Sequence, residues 1–303
     1  MGSLGVWKRW SSKKILASRQ EWIQRDNEPI WWWQEPIQEL TVLIQGERQT
    51  ENPLEYSTSL KSMHLWSTAN AEALNVAGRE VEAWDWHRKA NGYWFAALKI
   101  HLAGNWGWSN QSDWQPLLRL LLLGHMEEAK AMVQAAQGLD ETHVYHDFWT
   151  VRTREKFLAH RFAFHLIYAL LDQPFNGDQD NEEPLGVFAP LVALIRELDA
   201  DQLIEPILHV LDWHTHETDV KHRGQYAEFS YGKFAAWPIE ILALLRVREF
   251  LGLINPELDH PLMALPLSKL QPIVPLYRDE WTQGALAGAA KLLPQRPAEF
   301  WQI

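Results

Sequence analysis

The sequence predicts an all-α protein, a compact bundle of roughly ten helices. Three observations carry that expectation. Apolar residues recur at spacings of three and four along most of the chain. Alternating patterns and β-branched runs are nearly missing, so strands have almost no signal. Gly, Pro and Asp interrupt the apolar segments where helices would start and stop.

Taken in order, Leu60, Met63, Trp66, Ala69, Ala73 and Val76 lie on one face of a first clear helix. Val81, Trp84, Asn91, Phe95, Leu98 and Leu102 repeat the pattern, and Gly104 reads as the C′ glycine that ends it. "DWQPLLRLLLLG" opens with Asp113 and Pro116 and stops at Gly124. "HMEEAKAMVQAAQG" is a short amphipathic helix stopped by Gly138. Phe157, Arg161, Phe164, Tyr168 and Leu171 mark another, and further helices are expected over 187–198, 200–218, 238–253 and 281–293. "DQPFNGDQDNEEPLG", residues 172–186, holds five acids, two prolines, two glycines and no base, and reads as an exposed loop. It is expected either inside one domain spanning 1–303 or as the connector between two subdomains, 1–171 and 187–303. A second loop, "GNWGWSNQSD", carries two tryptophans.

Composition narrows the function classes. The chain has 303 residues, no cysteine and a net charge of −11. Disulfides, thiolate metal sites and cysteine nucleophiles are excluded. So strong an acidic balance argues against phosphate contacts with nucleic acid and fits either a basic partner or solubility alone. No apolar run reaches the roughly 18 residues of a membrane span. The basic N-terminus lacks an apolar core for a signal peptide, and Val6 stands where a myristoylation signal has Ser or Thr. A cytoplasmic protein without a membrane partner is expected. Eighteen tryptophans stand dispersed from Trp7 to Trp301. They could stack on sugars or bases, or fill gaps between helices, and their dispersal favours packing.

Signals for catalysis are short and mutually inconsistent. "DWHTHETDVKH" gathers His214, His216, Glu217, Asp219 and His222, but His214 and His216 point in nearly opposite directions on a helix. The i, i+4 pair of a helical metal site is missing, so no metal is expected and the segment reads as a solvated, His-rich helix end. His146-Asp147 suggests a metal-dependent phosphohydrolase with His101 or His125 and Asp199 or Asp219 as further ligands, though no spacing selects among them. Carboxylates with many aromatics also admit a carbohydrate-active α/α enzyme. P-loop, G-x-G-x-x-G and G-x-S-x-G motifs are missing from the sequence. No cofactor and no catalytic residue is therefore assigned.

The segment "FSYGKFAAWPIEILALLRVREFLGL" poses a different problem. Its Glu240, Arg246, Arg248 and Glu249 point in about four directions at about 100° per residue, so the helix has no polar stripe to face solvent. The wider frame, 211–267, resembles the C-terminal signature of the PoNi-like immunity proteins, which pair with bacterial polymorphic DNase toxins of the PoNe type. The resemblance lies in a Trp/His-rich helix end and an aromatic turn at Tyr226, Phe229, Tyr231 and Gly232. It continues in Trp237, in the early helical Glu240, and in "NPELDHPL" beyond the helix. Pro238 departs from the pattern. The resemblance implies a non-enzymatic protein that binds a cognate toxin and occludes its active site, and it admits delivery of that toxin by a type VI secretion system. On that reading Glu240 and its neighbours fix the helix in a crowded core. Loops then carry the contact, with Asp178, Asp180, Glu182, Glu183, Glu217, Asp219 and Glu228 as the expected toxin-binding acids. The sequence leaves the oligomeric state open, a homodimer included.

Overall fold

The structure, a computed structural model, describes residues 9–11, 13–15, 17, 34–106, 114–137, 158–175, 185–217 and 237–302. Among them the chain is all-α and without strand: after helical residues at 13–15 and 17, ten α-helices and four short 3₁₀ turns follow from residue 34. The helices are α1 (Gln34–Ile44), α2 (Leu54–Val76), α3 (Glu80–Ala103), α4 (Trp114–Leu122) and α5 (Met126–Gln137). They continue with α6 (Leu158–Leu170), α7 (Ala189–Leu194), α8 (Ile204–Glu217), α9 (Ile239–Phe250) and α10 (Glu280–Leu292). The expected helices over 187–198 and 200–218 each begin as a 3₁₀ turn, Gly186–Phe188 and Ala200–Leu203. Helix α1 was not expected, although Ile37, Leu40 and Ile44 recur at three and four.

Packing divides the chain differently from the expected 1–171 and 187–303. The first unit gathers α4, α5 as far as Val133, and everything described from α6 to Val274; the second gathers α1, α2, α3 and the C-terminal segment from Pro275. The acidic loop is therefore not the boundary, because α10 returns to pack on the first three helices.

In the second unit, Ser57 Oγ donates to the Ala97 carbonyl (3.2 Å) and His64 Nδ1 bonds that of Ala90 (2.9 Å). Numbers rise on α2 as they fall on α3, so the two long helices are antiparallel. Leu40, Leu60, Met63, Tyr93, Ala96, Ile100, Leu286 and Ala289 share their core. A Cβ at Gly288 would lie 2.5 Å from the Tyr56 ring, and one at Gly92 only 2.4 Å from the Tyr277 carbonyl oxygen. Close approach, not backbone freedom, is what these glycines provide. Asp279 caps α10 in a reciprocal box with Thr282 and accepts the Tyr93 hydroxyl at 2.6 Å.

The sequence-based stop signals hold in part. Gly124 sits at φ +86°, with its N–H on Leu121 O and that of His125 on Leu120 O, the paired bonds of a Schellman stop. Gly104 does not play that role. It keeps φ −86° and the left-handed position passes to Asn105 at φ +56°. A Cβ at Gly104 would stand 2.3 Å from the Trp106 ring, so it is the ring that demands a glycine there. The tryptophans whose side chains are described are buried or half-buried.

Candidate functional site

The first unit answers the problem set by α9. This helix is apolar nearly all round and sits inside the unit, so each of its ionic groups must be matched or remain costly. At its start, Glu240 Oε1 lies 2.7 Å from His214 Nδ1 of α8, and both side chains are 0% exposed. A carboxylate can only accept, so Nδ1 carries the hydrogen of this bond. Glu240 Oε2 has no hydrogen-bond partner among the described residues.

Two turns later the arginines act on backbone. Arg248 donates to the carbonyls of Leu194 (3.3 Å), Ile195 (3.0 Å), Glu197 (2.9 Å) and Ile254 (2.7 Å). The first three lie at and just beyond the end of α7, where Leu194 O also accepts the Glu197 N–H at 3.0 Å, and a cation suits a helix C-terminus by both hydrogen bonding and dipole. Burial lowers the Arg248 pKa, but a guanidinium keeps its charge in a protein. Arg246 bonds the Leu122 carbonyl at the end of α4 (3.1 Å) and that of Gln271, and pairs with Glu249 at 2.7 Å. Asn255 folds back on α9 by donating to Leu245 O at 2.9 Å, while the N–H groups of Gly252 and Leu253 close the helix end on Glu249 O and Arg248 O. Three of the four charges thus have internal partners, and the fourth, Glu249, is exposed and pairs with Arg246.

Around this helix lie further buried polar groups. The Arg119 guanidinium stands 5.5 Å from the Trp237 ring centroid, within cation–π range. His260 Nδ1 accepts the Leu262 N–H at 3.1 Å while Nε2 faces Asp212 Oδ1 at 3.1 Å. An acceptor role for Nδ1 requires a neutral ring. Burial lowers its pKa in the same sense, against the opposing pull of Asp212. His125, beside the Gly124 stop, is pushed down to about 4 by burial and is neutral at physiological pH.

These placements revise the expected sites. The His-rich end of α8 is not solvated at His214, which lies in the core; His216 rests half-buried against Trp10, ring centroids 5.7 Å apart. Glu217, expected as an exposed toxin contact, is 5% exposed, because this turn of α8 faces the interior along with Trp213 and His214. Trp237 is buried at the entry to α9. Asp178, Asp180, Glu182, Glu183, Asp219, Glu228, Tyr231, Gly232, His146 and Asp147 lie outside the described residues. Of the other proposed metal ligands, Asp199 instead caps a 3₁₀ turn through its side chain. Among the described residues no three His, Asp or Glu side chains are grouped to hold a metal ion, and no helix is long and apolar enough to cross a membrane.

Sequence reasoning missed the Arg248 clamp and the His260–Asp212 link. The signal for the first was there: an arginine in an all-round apolar helix can rarely be satisfied except by carbonyls or carboxylates. Nothing in the sequence announced the second. In comparison with known proteins, no family model, no curated protein and no solved structure matches the chain.

Proposed function

We propose that the chain is an immunity protein, which binds a cognate basic bacterial toxin of the DNase class and neutralises it by occluding its active site. The observation that carries this reading is the inward use of the ionic groups of α9. Glu240, Arg246 and Arg248 each have internal partners, so the most conspicuous charges of the resembling segment serve as scaffold. An interaction protein built this way carries its function on the outside. The net charge of −11 suits a cationic target. The acidic segment with Asp178, Asp180, Glu182 and Glu183 belongs to the same reading as a cation-seeking element of the sequence.

The reading expects a toxin domain to be encoded beside this chain, and expression of that domain with and without the chain tests the proposal. Cells should survive only with the chain. Association of the purified pair should also slow with added salt, over a Debye length of about 8 Å at physiological strength. Undiminished killing in the presence of folded chain, or a metabolic enzyme in place of the toxin, would overturn it.

A further inference from the structure

Two segments of the first unit, 197–217 and 249–268, share a property that is plain in the sequence and gains meaning from the fold. Neither contains Lys or Arg, while the first holds six acids and the second three. The structure joins them twice. One Arg248 guanidinium binds Glu197 O and Ile254 O together, so these two carbonyls are neighbours. Farther along, Asp212 of the first segment meets His260 of the second at 3.1 Å.

At the Arg248 junction both segments present bare aliphatic side chains. Leu198 is 79% exposed and Ile254 75%. Phe250, at the end of α9, is half-exposed as well. Each aliphatic residue is followed three positions later by an exposed acid, Asp201 after Leu198 and Glu257 after Ile254. The cations that reach these segments are engaged: Arg9 pairs with Asp212, Arg246 with Glu249, and Lys130, 5.3 Å from the Phe250 ring centroid, with Glu127, while neighbouring Arg196 turns to Asp172. An apolar centre beside exposed acids, with the nearby cations engaged in pairs, is the anatomy of a specific docking patch, and the uncompensated acids favour a positive partner.

We infer that this face, centred on Leu198 and Ile254, is the surface that seats the cationic toxin; the inference rests on the immunity reading and names its contact. Burial of the two aliphatic side chains supplies affinity, and Asp201 with Glu257 supplies steering.

The probe is the purified, catalytically inactivated toxin domain encoded beside the chain, titrated at two salt concentrations. Leu198→Ser with Ile254→Ser should weaken binding at least tenfold, chiefly in dissociation. Asp201→Asn with Glu257→Gln should slow association and flatten its salt dependence. Val81→Ser, which alters a 78% exposed aliphatic residue of the other unit, should change neither. All three variants alter exposed side chains, so thermal unfolding should match wild type. Wild-type binding that survives the first two variants would remove this face while leaving the immunity reading intact. Equal weakening by Val81→Ser would show unspecific stickiness and overturn the assignment. A homodimer broken by Leu198→Ser/Ile254→Ser, with toxin binding unaltered, would give the face to a second copy instead. If the wild-type chain itself fails to bind, the immunity reading falls and this inference with it.

Discussion

In the first unit a buried helix is held by charges, and in the second a half-buried helix is held by missing side chains. Helix α9 reaches α8 through Glu240, α4 through Arg246 and α7 through Arg248, each by a directed hydrogen bond. Helix α10 instead lies close against α1 and α2 because Gly284 and Gly288 leave room for Ile44 and Tyr56. Both devices position a helix, but they fail differently. Loss of a clamp leaves buried polar groups without partners, a penalty of desolvation. Filling a glycine groove forces backbones apart, a penalty of overpacking. The first is sensitive to chemistry and the second to volume.

Arg248 should expose this difference most strongly. Arg248→Met removes the donor to four carbonyls, of which Leu194 O keeps the Glu197 N–H, and is expected to cost about 3–5 kcal/mol, at about 1–3 kcal/mol per stranded acceptor with partial rehydration. Arg248→Lys should recover little, since an ammonium cannot span the two sides of the clamp. Urea unfolding of the three proteins measures both effects. Full recovery by lysine would show that charge alone, and not the fork, holds the junction.

A smaller loss is expected in the second unit. Gly92→Ala places a Cβ against the Tyr277 backbone carbonyl, which cannot swing aside as a side chain can. The cost should be about 1–3 kcal/mol, read by the same unfolding assay. A neutral outcome would mean that the segment before α10 yields freely, and that the contrast between the two units is weaker than the geometry implies.

The fold class was legible because all-α character depends on period alone, and α2, α3 and α9 carry long apolar repeats. The clamp around α9 was half legible. Charges scattered round an apolar helix told that partners must exist, but partners such as the Leu194 and Ile254 carbonyls leave no mark in side-chain identity. Glu217 was misplaced for a related reason. A polar residue at a helix end reads as solvated, and only tertiary packing reveals that His214 and its neighbours turn inward. Gly104 shows the same limit at one residue, since the Trp106 ring that requires it is a matter of rotamer and not of sequence spacing.

The central claim is that the charges of α9 build the scaffold while an outer face does the binding. Glu240→Ala tests it most directly, through thermal and urea unfolding alongside toxin affinity of the folded fraction. Removing the carboxylate leaves His214 buried without its bond, so the fold should lose about 3–5 kcal/mol while affinity per folded molecule is unchanged. A variant as stable as wild type that no longer binds or neutralises the toxin would contradict the claim and place Glu240 in the interface.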